Sequence, residues 1–413
     1  MTPFLQLAFL IALFLLAAKL GGYLSTRLGQ PSVLGELIVG LLLGPSLFDL
    51  IHLPFIDAHL MEEVIHEFAE LGVLVLMFLA GLELHFSDLA KNKRVSALAG
   101  SLGVILPIGL GFLAGEILNL TFDQSAFLGL TLGATSVSIS VQTLMELKVL
   151  RSRVGLSLLG AAVFDDILVI LLLSIFLALA SGVGGFLQIA LVFGRIILFL
   201  ALSGSFGVWV LPWLSRRIAR LDISYGPLTF AIIILLVFGL AAELVGGMAA
   251  ITGSFLAGLM FSRTPEKKDI EPGLGAIAYS LFVPIFFINI GLSINLRELQ
   301  LSAIWSILLI VTISIFGKIV GAGAGALLSK FSPRESLQLG IGMVSRGEVG
   351  LIVANVGLTA GWLNNEVFSA IVTMVLVTTL LTPLMLRSAF RSKPPASPTK
   401  SNPTTLESHK ENA

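Results

Sequence analysis

The sequence predicts an all-α polytopic membrane protein of about thirteen transmembrane helices, and three observations predict it. Hydrophobic residues make up 56% of the 413 and charged residues only 12%, against about 25% charge in a soluble domain. The apolar residues fall in runs of about 17–27, the length a helix needs to cross a hydrocarbon core. The charges between the runs alternate between basic and acidic or neutral, as loops on opposite faces of a bilayer do. The rest of the composition excludes whole classes. A formal net charge of zero argues against a nucleic-acid partner. The absence of cysteine removes thiolate metal sites, haem attachment and disulfides. His52, His59, His66, His85 and His409 all avoid the apolar interiors, which disfavours a histidine metal centre, so no cofactor is expected.

Taken in order, the first run, 3–20, has the length of a secretory signal. It lacks a basic n-region, and Lys19 follows Ala17-Ala18 where cleavage would fall, so it reads as a retained helix. Further spans are expected at 32–49, 64–83, 95–118, 126–146, 153–181 and 186–214. The second group lies at 225–244, 246–262, 275–294, 301–328, 336–359 and 366–389. Lys19 and Arg27 mark the first loop as basic, whereas Asp49, Asp57, Glu62 and Glu63 make the second acidic. Lys91, Lys93 and Arg94 follow, then a loop with Asp123 and no base, then Lys148, Arg151 and Arg153. Basic loops recur at Arg216, Arg217 and Arg220, at Arg263, Lys267 and Lys268, and at Lys330 and Arg334. Basic loops stay in the cytoplasm, so the pattern puts the N-terminus outside and the C-terminus inside. The tail from 392 to 413 is rich in Pro, Ser, Thr, Lys and Asn and reads as disordered.

Two spans make poor helices. The fifth carries Gly133-Ala-Thr-Ser-Val-Ser-Ile-Ser140 and the twelfth Gly340-Ile-Gly-Met-Val-Ser-Arg-Gly-Glu-Val-Gly350. Glycine weakens a helix by about 1 kcal/mol relative to alanine, and serine and threonine offer the backbone competing bonds. Seven spans apart, the two run in opposite directions. Paired interruptions of this kind point to an inverted-repeat transporter with its site at the breaks. Spans one to six would then repeat as eight to thirteen, with the seventh as linker.

The most unusual stretch is Gly160-Ala-Ala-Val-Phe-Asp165-Asp166, two carboxylates within a run that is otherwise apolar from 154 to 180. One charge at bilayer centre costs about 2.5–3.5 kcal/mol on insertion scales. At about 4 Å and an effective dielectric near 20, two such charges repel by about 4 kcal/mol. A pair of this kind exchanges a proton or a small cation rather than standing bare, which is the reading of an ion-coupled transporter. Lys318, in the middle of the eleventh span, is too deep to snorkel and should pair with a carboxylate. Arg346 and Glu348 flank Gly347 in the second broken span, and their expected role is structural: neutralising the half-helix ends. Thr135, Ser136, Ser138 and Ser140 offer oxygens to a hard cation, with Thr135 and Ser136 nearest the expected break. Asn289 reads as a helix–helix hydrogen bond, and Glu36 and Glu83 as solvated or capping groups near span ends. An intramembrane aspartyl protease would need two aspartates on separate helices, whereas these are adjacent, and a channel would need a continuous pore.

Six strings together carry a resemblance. They are Leu34-Gly-Glu-Leu-Ile-Val-Gly-Leu-Leu-Leu-Gly-Pro-Ser46, Phe78-Leu-Ala-Gly-Leu-Glu-Leu84, Ala134-Thr-Ser-Val-Ser-Ile-Ser-Val-Gln-Thr-Leu144, Phe164-Asp-Asp166, Phe282-Val-Pro-Ile-Phe-Phe287 with Gly291-Leu, and Ser345-Arg-Gly-Glu348. In this order, from about residue 5 to 390, the chain resembles the monovalent cation:proton antiporter superfamily, in its bacterial Kef-like and NapA-like branch. The resemblance implies an inverted-repeat antiporter fold with two crossed, broken helices, in a homodimer in the bacterial inner membrane. It implies a dimerisation domain from 1–94 and 221–297, a mobile core domain from 95–185 and 298–391, and a linker helix at 186–220. It further implies that Asp166 is the principal sodium and proton ligand, that Asp165 partners Lys318, and that Thr135 and Ser136 lie near the ion. Arg346 and Glu348 match the polar pair at the second break. The Asp-Asp doublet is the signature of the electrogenic sodium/proton members. Potassium-efflux members usually carry Gln-Asp and a soluble regulatory domain, which favours sodium or lithium here over an electroneutral exchange of potassium for protons.

Overall fold

The computed structural model describes residues 1–83, 92–180, 186–293, 295, 297, 304–346, 350, 354, 357–358 and 361–390. The helices are α1 (Pro3–Arg27), α2 (Ser32–Leu43), α3 (Ala58–Glu83), α4 (Lys93–Ile117), α5 (Phe122–Gly133), α6 (Ser138–Glu146), α7 (Arg153–Ala180) and α8 (Phe186–Ser205). They continue as α9 (Leu211–Ile218), α10 (Gly226–Ala241), α11 (Ala250–Phe261), α12 (Lys267–Ile277), α13 (Val283–Leu292), α14 (Ile304–Leu328), α15 (Pro333–Gly342) and α16 (Asn365–Phe390). Single π-helical turns join α8 to α9 and α12 to α13, so each pair forms one long, locally underwound span.

Among the described residues ten helical segments are long and apolar enough to cross a bilayer, and the chain is a multi-pass membrane protein. The other three of the thirteen expected spans fall on the short apolar helices α2 and α11 and on α15, beyond which the chain is described only in part. The tail 392–413 lies outside the described residues.

Both interrupted spans start in the same way. Thr121 caps α5 through a reciprocal bond with Gln124, and Ser332 caps α15 through the same exchange with Glu335, with Pro333 in the first turn. The first then breaks after Gly133, where residues 134–137 run without helix before α6 resumes the span, and α15 ends at Gly342.

The helices pack as two sets. In the first, α3 lies against α11 and α13, α2 against α1 and α13, and α10 against α11 and α12. In the second, α4 is central, touching α5, α7 and α14, while α14 also holds α15 and α16. The segment α8–α9 runs beside α7, α11 and the end of α10. Within each set backbones meet at glycines. A Cβ at Gly81 or Gly258 would strike the carbonyls of Phe255 and Phe78 across the α3–α11 contact, and one at Gly325 would strike the backbone of Ala99 across α4–α14. Among the described residues no glycine brings the backbones of the two sets together in this way; the links between sets are made by side chains.

One such link is a helix cap supplied in trans. Pro31 stands at the N-cap of α2 and has no side chain to offer. Glu146, at the end of α6, takes its place: it accepts from Ser32 N at 2.6 Å, Ser32 Oγ at 2.8 Å and Val33 N at 3.3 Å, while Gln142 Nε2 donates to it at 3.0 Å. Glu146→Ala is therefore expected to destabilise the protein by about 1–2 kcal/mol, the value of an N-cap. A thermal midpoint in detergent that does not fall would assign the cap to solvent instead.

Candidate ion-binding site

The two breaks meet. Ser136 N donates to Ser345 O at 3.0 Å, the Ser345 hydroxyl donates back to the Ser136 carbonyl, and Ser140 Oγ donates to Gly342 O at 2.6 Å. Backbone groups that a continuous helix would satisfy internally are thus satisfied across the crossing, as irregular backbone at this depth requires. Arg346 fills the crossing and is fully buried. Its Nη2 donates to Leu132 O at 2.6 Å, in the last turn of α5, which is the negative end of that half-helix. Nη1 donates to Thr135 Oγ1 at 3.2 Å and Nε to Ser314 Oγ at 3.3 Å, and the Thr379 hydroxyl donates to the Arg346 carbonyl. Glu348, expected beside it, lies outside the described residues.

Asp165 and Lys318 form a closed pair between α7 and α14. Nζ lies 2.5 Å from Oδ1, and the two side chains are 1% and 0% exposed. Asp165 Oδ2 accepts no hydrogen bond among the described residues. A pair so deep is held by the low dielectric around it, and each partner removes the charge the other could not carry alone.

Asp166 points elsewhere. Successive residues of a helix are rotated by about 100°, and this turn carries Asp166 out of the second set to its boundary with the first. There Thr252 Oγ1, on α11, donates to Asp166 Oδ2 at 2.9 Å. Asp166 is half-buried and lines a small cavity with Met77, Val137, Leu159, Ile251 and Phe255. Of these, Val137 and Leu159 come from the second set and the other three from the first. Thr135 and Ser136 sit at the start of the break, both buried; the Ser136 hydroxyl pairs with that of Ser138 at 3.0 Å. Among the described residues no three His, Asp or Glu gather as they would for a resident metal.

The structure thus brings Asp165, Lys318, Thr135 and Arg346 into one buried polar centre, with Asp166 on its outer face. Asn289 Nδ2 reaches His66 Nδ1 at 3.4 Å, linking α13 to α3 away from this centre. Glu83 stands 3.9 Å from Arg151, while Glu36, expected to be solvated or a cap, is 7% exposed and buried in α2. The sequence reading passed over Thr252, Ser314 and Thr379. Each is one hydroxyl in an apolar run, and only the neighbour it meets sets it apart.

Comparison with known proteins shows the family and the fold. A family described as "Sodium/hydrogen exchanger, transmembrane" matches residues 12–391. The Na(+)/H(+)-K(+) antiporter GerN of Bacillus cereus is 40% identical over 385 residues, covering 93% of this chain and 96% of GerN. A Na(+)/H(+) antiporter of Enterococcus hirae is 34% identical over 384 residues, covering 92% of this chain and 96% of its own. The structure of the sodium proton antiporter MjNhaP1 from Methanocaldococcus jannaschii has the same fold. It superposes with a TM-score of 0.66 at 20% identity, over 94% of this chain and 97% of that one.

Proposed function

Because the chain belongs to the sodium/hydrogen exchanger family, we propose that it is a secondary active antiporter of a bacterial cell membrane, exchanging sodium or lithium for protons by alternating access. The observation that carries this reading is the position of Asp166. It is a carboxylate at membrane depth, outside the neutralised Asp165–Lys318 pair, on the boundary between two sets of helices.

Sodium and protons compete for that carboxylate. With either aboard, the local charge falls and the second set can move past the first. Empty, the carboxylate would cross as a bare charge, which desolvation forbids. Competition and that prohibition together give exchange. Thr135 and Ser136, at the first break, are the further oxygen ligands of this reading, and Arg346 holds the crossing in place without touching the cargo. If Lys318 gives up its proton when sodium disturbs Asp165, two protons move per sodium and transport is electrogenic.

The packing supports an assignment of bodies. The first set, 1–94 and 221–297, is the dimerisation domain of a homodimer; the second, 95–185 and 298–391, is the moving core; 186–220 links them. Glycine contacts that lock backbones within each set, with side-chain links between them, are what two rigid bodies sharing a sliding boundary need. The basic loops support an orientation with the N-terminus outside and the C-terminus in the cytoplasm.

Proteoliposomes holding a pH-sensitive dye test the reading. Sodium and lithium pulses are expected to drive proton movement in the opposite direction, and potassium to do so weakly. Sodium uptake with no proton counterflow would overturn antiport. An equal response to potassium would move the chain to potassium/proton exchange; potassium is also in the name of the Bacillus relative.

A further inference from the structure

We infer that Thr252 is a positioning residue for transport: its hydroxyl, supplied by the opposite set of helices, bonds Asp166 and must be displaced by the cargo. The inference rests on the antiporter reading above and adds to it a group outside the moving core that sets cation affinity.

This hydroxyl joins the two sets of helices, whereas most threonines deep in their helices bond within them. Thr131, Thr143, Thr373, Thr378 and Thr382 each donate to the carbonyl four residues back in their own helix, the ordinary resort of a threonine inside an apolar helix. Thr252 stands in the first turn of α11, where no carbonyl lies four residues back within the helix, and it donates across the boundary to Asp166 Oδ2 at 2.9 Å while being 3% exposed. It cannot follow Asp166 if the core moves. Its helix is fixed to the first set at Gly258 against the Phe78 carbonyl, at Gly253 against the Phe238 carbonyl, and by Ser254 Oγ donating to Leu74 O at 2.5 Å.

The chemistry follows from the acceptor. A carboxylate oxygen holding a hydroxyl proton is stabilised as the anion, and a proton or sodium ion arriving at Asp166 weakens or removes that bond. Thr252 therefore competes with both kinds of cargo. It also gives the unloaded core a contact in this position that the loaded core lacks, so release of the contact accompanies loading. A hydrogen bond to a charged group is among the stronger ones, and its loss is expected to tighten sodium binding by about tenfold, the factor that 1.4 kcal/mol represents.

The test compares Thr252→Val, which keeps the shape and removes the hydroxyl, with Thr252→Ser, which keeps the hydroxyl. Initial exchange rates in proteoliposomes are measured against sodium at fixed alkaline pH, and sodium-dependent thermal stabilisation in detergent gives binding without transport. Thr252→Val is expected to lower half-saturating sodium about tenfold in both measurements, with maximal rate changed less than about twofold, and Thr252→Ser to match wild type. A rise in half-saturating sodium would make the hydroxyl a cation ligand and overturn the inference. A fall in maximal rate at unchanged half-saturation, an unchanged Thr252→Val, or a Thr252→Ser that behaves like valine would overturn it too. In each of these cases exchange by the wild type leaves the antiporter reading standing. A wild type that moves no protons against sodium fails that reading itself.

Discussion

Asp166→Asn is expected to abolish sodium-driven proton movement in proteoliposomes while leaving the fold intact. The amide has the shape of the carboxyl group and can still accept the Thr252 hydrogen bond across the boundary between the helix sets. What it loses is charge. A monovalent cation about 4 Å from a carboxylate, at an effective dielectric near 20, is held by about 4 kcal/mol, which is about a thousandfold in affinity. The amide also binds no proton near neutral pH, so both halves of the exchange are removed by one atom's change. The neutral side chain is easier to bury than the anion it replaces, and the thermal midpoint is therefore expected to stay level or rise. Exchange that survives in this variant would take Asp166 out of the transport cycle.

The largest stability effect is expected at Lys318. Lys318→Gln removes the cation that lies 2.5 Å from Asp165, whose carboxylate is 1% exposed. Removing one partner of a buried pair costs about 3–5 kcal/mol, because the remaining charge is stranded. A strong fall in thermal midpoint is the expected result, and the double variant Lys318→Gln with Asp165→Asn should recover most of it. A double variant no more stable than the single one would mean that the pair is not a closed unit. Transport separates the structural role from the proton-carrying one. Some exchange should persist in Lys318→Gln, with a changed response to membrane voltage, since the proton that the lysine would carry is gone. An unchanged voltage response would remove the lysine from the proton count and leave it a permanent brace.

Much of this protein was legible as sequence because a bilayer is a demanding solvent. Apolar runs of fixed length, the basic loops and the glycine- and hydroxyl-rich breaks at 133–140 and 340–350 each answer to a local rule. Local rules placed the helices, and the chain folds into helices there. They were weaker at the short helices α2 and α11. These fall below the usual spanning length, and their backbones are held by neighbours rather than by their own hydrophobicity: Glu146 caps one, and glycine contacts with α3 anchor the other. The same limit applies to Glu36, whose place near a span end reads as solvated until the packing buries it.

What the sequence determined by itself was the inventory: an all-helical membrane chain, two interrupted spans, a carboxylate doublet and one lysine too deep for lipid. Only the tertiary structure decided how that inventory is divided. Read along the chain, Asp165 and Asp166 are a pair that repel each other. In the fold a rotation of about 100° sends them to different partners, Asp165 inward to Lys318 and Asp166 outward to Thr252. Helical direction is written locally, but what stands in that direction comes from residues 86 and 153 positions away. No periodicity within one helix specifies such a partner, because the contact exists only once two distant helices are packed.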